Sequence, residues 1–320
     1  MSITRYDTML KLYDDTDYHV FKSISHGLTF TVTRERYTPF HTAVFSFAAD
    51  DGFDTSGIME VSIHYKDEMI FFGRADSLRV TRQSGRVIVS GRASGFTKGL
   101  SVCAAEPEIL YNCSLTTLFA RTPLMPHVTH QAISDTVNYI FIKENDTVWS
   151  AIAALSLKLG DEYPFIRGKN SVYIKKENLD SFDYRDDTIV SFFNGENYTN
   201  AVSKIYMKGT QDTYDYSYSD AEALARGIIR ERYIPLDRQW LSDPEKGLMH
   251  KMYFSRRGCV YRGFTYAGHR FENLCDRVRF SFGGSAYWGE ADRIVIKGDQ
   301  SGVFTTITSY HDGYARIMDV

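Results

Sequence analysis

Catalysis or metal binding would need cysteine, histidine, serine or carboxylate groups held by a tight turn, and the chain offers few such placements. The four cysteines, Cys103, Cys113, Cys259 and Cys275, form no C-x-x-C pair and match neither zinc-knuckle nor redox spacing. Cys113 stands just ahead of a helix start at Ser114, where a helix N-terminus would favour a thiolate. No matched histidine base accompanies it, so a packed core thiol is the plainer reading. The close histidine pair, His127 and His130 in PHVTH, follows two prolines and has no third ligand nearby, which favours surface histidines over a metal pair. No G-x-S-x-G elbow, P-loop, G-x-G-x-x-G or H-E-x-x-H occurs. Forty acidic residues supply many carboxylate pairs of the kind glycosidases use, but none in a recognisable motif. The sequence thus yields no catalytic, cofactor-binding or metal-binding residue, and the expectation is a protein that is not an enzyme and carries no cofactor.

Two clusters fit contacts better than chemistry. Tyr214, Tyr216 and Tyr218 alternate in DTYDYSYSD, which reads as an exposed edge at a protein contact rather than a sugar platform. Arg226, Arg230 and Arg232, with Arg238 beyond, make a basic face that Glu222 and Glu231 dilute. A formal net charge of −3 gives no ground for proposing a nucleic-acid binder, and no specific nucleic-acid sequence is expected as a partner. Residues 1–17 are polar and carry Asp14, Asp15 and Asp17 where a secretory signal needs a cation and an apolar run. The longest nearly apolar stretch, 148–159, is too short to span a bilayer, so no membrane anchor is expected and maturation in the cytosol is.

The elements that would position these residues are mostly strands. A 43% hydrophobic and 14% aromatic composition, with 22 Tyr and 21 Phe, supports real cores and leans towards β structure. At 320 residues, two or three compact units are expected. Residues 28–33, 42–48, 59–65, 69–81 and 86–92 read as a strand meander, with turns at Lys66-Asp67-Glu68 and Gln83-Ser84-Gly85. Val61, Ile63 and Tyr65 alternate with Ser62, His64 and Lys66, the pattern of a half-buried strand. After Glu106-Pro107 a short helix capped by Ser114 is expected, ending before Pro123. A longer helix follows, capped by Asn145 or Asp146, with Val148, Ile152, Leu155 and Leu159 on one face and Gly160 at its left-handed end. A hairpin over 163–175 turns at Gly168-Lys169-Asn170. Strands resume at 188–193 and 201–208, a helix capped by Ser219 spans 219–232, and residues from Met252 onward are strand-like, notably 277–282, 293–297 and 303–309.

The stretch EVSIHYKDEMIFFGRADSLRVTRQSGRVIVSGRA resembles the first barrel of phage tail hub proteins of the late-control-D type, with a strand pair around a Phe-Gly turn and a Gly-Arg exit. GRASGFTKGLSVCAAEPEILYNCSLTTLF is similar to that family's passage from barrel to capped helix. NDTVWSAIAALSLKLGDEYPFIRGKNSVYI matches its helix with an early tryptophan, here Trp149, before a hairpin, and NAVSKIYMKG looks like the start of a second barrel. The likeness covers residues 28–210; YIPLDRQWLSDPEKGLMHKM has no counterpart in it.

What the resemblance implies is a mainly β protein with an α+β insertion, built as two tail-tube-like β-barrel domains plus a small helix and hairpin domain. The expected bounds are 1–105 for the first barrel, 106–185 for the insertion, and 186–320 for the second barrel with a helical insertion around 219–250. It further implies the baseplate hub of a phage tail or contractile injection system, similar in role to the hub part of type VI secretion spike proteins. Such a hub is a homotrimer whose pseudo-sixfold ring joins a tail tube protein to a central spike protein, with a tape-measure protein as a further partner. Its place would be the tail tip of a virion or injection particle assembled in the bacterial host cytoplasm. A lumen lined with acidic or neutral groups would let cargo pass better than a basic stripe. The rival expectations are a tail-associated cell-wall hydrolase and a β-rich carbohydrate-binding adhesin.

Overall fold

Strand-forming residues with one buried and one wet face decide most of this architecture. The computed structural model describes residues 7–14, 20–83 and 85–311. Ser84 of the expected turn, and parts of the N-terminal stretch read above, lie outside the described residues. The first block comprises β1 (Thr8–Tyr13), β2 (Val20–Ile24), β3 (Thr29–Glu35), β4 (Thr42–Ala49), β5 (Glu60–Tyr65), β6 (Glu68–Gln83) and β7 (Arg86–Gly95). Lys66 and Asp67 both take positive φ, 49° and 62°, the two-residue turn that a right-twisted hairpin favours.

Two readings of this block need correction. β5 is buried on both faces: Ser62 is fully buried, its hydroxyl 2.9 Å from both the Tyr13 hydroxyl and His64 Nε2. A polar residue is tolerated there because each hydrogen-bonding group finds a partner. Phe72-Gly73 is no turn but the middle of β6, where a Cβ on Gly73 would strike the Ser94 carbonyl of β7.

After β7 come α1 (Lys98–Val102), β8 (Ile109–Ser114), α2 (Leu115–Ala120), β9 (Thr129–His130), β10 (Thr136–Phe141), α3 (Val148–Gly160), β11 (Phe165–Arg167) and β12 (Ser171–Tyr173). Ser114 caps α2 by accepting the Thr117 amide at 3.1 Å, as expected. The cap of α3 is Thr147 instead of Asn145 or Asp146: its hydroxyl accepts the Ser150 amide and Ser150 accepts the Thr147 amide. Three consecutive residues could cap, and only the hydroxyl reaches the third amide. Gly160 is the last helical residue, and Asp161 takes the left-handed position with φ 56°. Val148, Trp149, Ile152 and Leu155 bury against Leu115, Leu118, Ile166 and Val172 in a core of their own.

The second block runs through β13 (Ser181–Tyr184), β14 (Ile189–Glu196), β15 (Lys204–Met207), β16 (Tyr216–Ser219), α4 (Ala221–Ala225), β17 (Glu231–Ile234), α5 (Pro244–Arg256), β18 (Val260–Ala267), β19 (Arg277–Phe282), β20 (Ser285–Glu290), β21 (Arg293–Asp299) and β22 (Gly302–Tyr310). Here the helix expected over 219–232 shrinks to α4, capped by Asp220 and ended before Gly227, whose φ is 74°. The helix α5 replaces the expected start of strand at Met252. Its signal is legible after the fact: Asp243 caps by accepting the Lys246 amide, and Pro244 opens the first turn.

The strands join the two blocks directly. One eleven-stranded sheet has the order β14-β18-β22-β21-β3-β4-β7-β6-β5-β1-β2, the seam being the antiparallel pair β21 with β3. A single core lies beneath it, with Phe45, Val61 and Phe71 from the first block packed with Phe264, Phe280, Ile294 and Ile307 from the second. Among the described residues this sheet does not close into a barrel, because β14 and β2 end it without pairing to each other. Two three-stranded sheets, β13-β19-β20 and β16-β15-β17, complete the second block, the latter covered by α5 through Leu248 and Met252. No helix among the described residues is long and apolar enough to cross a membrane.

Candidate functional site

Three buried polar clusters organise the interior. Arg36, just past β3, donates to Asp292 at 2.8 Å, Glu290 at 3.0 Å and Glu162 at 2.6 Å. Lys176 adds ion pairs to Glu162 at 2.9 Å and Glu290 at 2.8 Å. Burial pushes the Asp292 carboxyl up, and Arg36 offsets this in part. In the second cluster Glu272 takes hydrogen bonds from the hydroxyls of Tyr184 and Tyr266 and lies 3.0 Å from His269 Nδ1. Burial alone would raise its pKa, but His269 and the two tyrosines more than offset that and hold it down at about 2. In the third, Arg167 donates to Asp276 at 2.6 Å. Arg36, Arg167 and Tyr184 reach partners 88 to 256 residues away, which is the work of joints, while His269 and Tyr266 are local to Glu272.

The residues singled out for chemistry are dispersed. Cys113 is buried at Ser114, and burial raises its thiol to about 11; Cys275 rises to about 12 for the same reason. Neither is poised as a nucleophile. All four cysteines are free thiols. His127 is wedged between Phe72 and Phe96, at ring separations of 4.8 and 4.6 Å, with Glu60 3.7 Å away. His130 packs instead on Phe119 and lies 3.0 Å from the Gln131 carbonyl. No group of three or more His, Cys, Asp or Glu among the described residues could hold a metal.

The expected tyrosine edge is split. Tyr216 and Tyr218 turn inward against the small core under α5, and Tyr218 meets the Tyr253 hydroxyl at 3.2 Å. Tyr214 remains outside, joined by Tyr206 and Tyr233, which stack with centroids 4.7 Å apart and planes 7° apart. Sequence reading missed these two partners because 27 residues separate them; the parallel pairing of β15 with β17 sets them side by side. The basic face likewise dissolves. Arg226 pairs with Glu196 and Glu222, Arg230 donates to the carbonyls of Thr199 and Ala201, and Arg238 lies over the Phe141 ring.

What remains are surfaces suited to assembly. A cleft of about 1010 Å³ opens between the insertion and residues 234–239, with an apolar floor that includes Ile109, Phe141, Ile142 and Leu236. Gln239 guards its side by pairing with both backbone groups of Phe141, as a neighbouring strand would. Among the described residues the eleven-stranded sheet ends at two unpaired edge strands, and each carries an exposed valine, Val190 on β14 and Val20 on β2. Such edges are templates for pairing with another chain.

This arrangement has counterparts among solved structures. A tail protein from Neisseria meningitidis superposes with a TM-score of 0.73 at 15% identity, over 97% of this chain and 98% of that one. The chain has the fold of phage tail proteins. A 43-kDa tail protein of prophage MuSo2 from Shewanella oneidensis gives 0.69 at 13% identity, over 96% and 98%. An Escherichia coli component of the type VI secretion system, itself described as similar to bacteriophage T4 tail proteins, gives 0.54 at 8% identity, over 96% of this chain and 75% of that one. No family model matches the sequence, and no curated protein does. The tail-protein fold thus extends beyond residue 210, where the sequence resemblance had been poor.

Proposed function

We propose that the chain is a structural hub of a phage-type tail baseplate or contractile injection system, one that positions and seals without catalysing a reaction. The observation carrying this reading is the end-to-end likeness to a tail protein, with 97% of one chain and 98% of the other superposed. Residues 1–105 and 186–320 are read as two tube-type units and 106–185 as an insertion between them. Among the described residues each unit leaves one sheet edge unpaired, β2 in the first and β14 in the second. Three copies would place six such units around an axis as a pseudo-sixfold ring, and neighbours rather than the chain itself would complete the barrels. The ring would join the tail tube to the central spike at the tail tip, with a tape-measure protein as a further contact.

Light scattering on the purified chain tests the ring. The expected mass is three times the 36.6-kDa chain. A strict monomer at every concentration, alone and with the spike, would overturn the reading. Clearing of purified cell walls that is lost on changing a single carboxylate or cysteine would establish the hydrolase instead.

A further inference from the structure

The small sheet β16-β15-β17 ends at β17, which pairs only with β15 among the described residues. Glu231, Arg232 and Tyr233 of β17 are all exposed. The carbonyls of Arg230 and Ile234 face β15, accepting the Ser203 amide at 2.9 Å and the Lys208 amide at 3.1 Å. Alternate residues of a parallel strand bond to opposite sides, so the amides and carbonyls of Glu231 and Tyr233 point to the open edge. Such an edge is a template for one more strand.

Beside this edge, next to α5, lies a cavity of about 290 Å³. Ile205, Ile234, Tyr163, Trp240 and Phe254 make its wall largely apolar. Gly247 of α5 belongs to its construction: a Cβ there would stand 2.8 Å from the Trp240 ring, so glycine lets the indole lie on the helix. Arg232 pairs in register with Ile205 and shares its side of the sheet, the side that packs on α5. No carboxylate stands among the described residues that line the cavity. Asp161 and Asp237 reach lining residues from behind, and each is held by a lysine, Lys246 at 2.7 Å and Lys251 at 2.5 Å. His250 on the wall lies 3.2 Å from the same Asp161. Arg232 forms no ion pair among the described residues. An open strand edge, an apolar hole and an uncompensated cation therefore adjoin one another.

We infer that this site receives the C-terminal end of another protein chain. The large apolar side chain of its last residue fills the cavity, its carboxylate sits on the Arg232 guanidinium, and the residues before it pair with β17. The inference goes beyond the hub reading and does not depend on it. Three requirements of a chain end are met by three separate features. An extended segment satisfies its amides and carbonyls by adding to a sheet edge, and pockets along that edge choose its side chains. A terminal carboxylate carries a full charge, and a guanidinium binds it through two parallel donors. The cavity lies at the lower bound of small-molecule sites, about 300–1,000 Å³, which suits one large side chain. A basic segment is the poorer fit, because the lining offers it no anion. A free small acid would occupy the cavity and Arg232 but leave the β17 edge unpaired.

The test is the fluorescence anisotropy of fluorescein-labelled Gly-Thr-Val-Thr-Val-Phe titrated with the purified full chain. The free acid should bind with a dissociation constant of about 10–100 μM. Its C-terminal amide should bind about tenfold more weakly. Methylating alternate backbone nitrogens of the peptide should also weaken it about tenfold. Arg232→Met, at an exposed position, should weaken the acid about tenfold and leave the amide unchanged, whereas a merely structural role would weaken both alike. Absence of binding at about 1 mM chain overturns the inference. So do equal affinities of acid and amide, an unaffected methylated peptide, or a variant that keeps its preference for the acid. Phenylacetate matching the affinity of the peptide overturns it in favour of a free acid. The two readings fail separately: a trimer that ignores the peptide sinks this inference and leaves the hub standing.

Discussion

Arg36 and Asp292 meet twice across 256 residues of chain, through the guanidinium on the carboxylate at 2.8 Å and through the Arg36 amide on the Asp292 carbonyl at 2.8 Å. The first contact neutralises a buried charge, and the second extends the pairing of β3 with β21 past the end of both strands. Glu162 on the same guanidinium brings in the insertion. One side chain thereby ties together three parts of the molecule whose sequences are far apart.

Replacing it should therefore cost more than a surface ion pair. Arg36→Met takes the guanidinium from Asp292 and leaves Glu290 and Glu162 to Lys176, and breaking a buried network in this way costs about 3–5 kcal/mol. Urea unfolding should show the midpoint falling with little change in slope. R36M/D292N should recover part of the loss, and a double variant no more stable than R36M alone would show the pair to be uncoupled.

Acid should unfold the protein from below neutrality. Burial and the Arg34 charge lower His41 to about 3, and burial lowers His250 to about 4; His64 and His269 are also lowered, by burial first. A histidine lowered in the folded state is protonated preferentially when unfolded. Its contribution is present above about pH 6.5 and is lost as pH falls through the window towards 3 or 4. His41 alone should then cost roughly 3 kcal/mol between pH 6.5 and 4. The raised carboxyl of Asp292 acts in the opposite sense, since it takes up a proton in the folded state first. Urea titrations at pH 7, 5.5 and 4.5 check the net sign, and H41L should flatten the slope.

Gln239 acts as a one-residue strand on the open side of β10, with Phe141 donating its amide at 3.1 Å. Gln239→Ala removes both bonds and should destabilise by about 1–2 kcal/mol. The sharper readout is hydrogen exchange at the Phe141 amide, which should accelerate while the amides of α3 hold. An unchanged Phe141 rate would mean the strand edge is protected by something else.

The position of the α3 cap is also open to measurement. Thr147→Ala should cost about 1 kcal/mol and speed exchange at Ser150, whose amide it caps at 3.2 Å. Asn145→Gly should do neither, because Asn145 already has φ 68° and lies outside the helix.

How much of this was legible beforehand follows from the range of each interaction. Local strand patterns announced β3, β4, β6, β7, β19, β21 and β22, because burial of one face is written into neighbouring residues; β5 was also read as a strand, but its second buried face was not legible, and β20 was not read. The Ser114 cap was readable for the same reason, since cap and amide are three residues apart. Asp243-Pro244 was an equally local signal that went unread, and α5 was missed with it. The resemblance carried by the order of motifs over residues 28–210 also pointed to a tail-type protein.

Tertiary structure alone decided the rest, because the deciding contacts join distant residues. Pairing of β3 with β21 fused two blocks into one sheet, and no local pattern specifies which strand lies beside which. Stacking of Tyr206 on Tyr233, and the pairing of Arg232 with Ile205, exist only through strand register, which alternation constrains to one face but does not choose. The buried carboxylates tell the same story: Asp292 and Glu272 are ordinary acidic residues until folding removes water and leaves particular cations, hydroxyls and imidazoles as their partners. Alternation marked which side chains seek burial; the free energy of burying them together selected the neighbours.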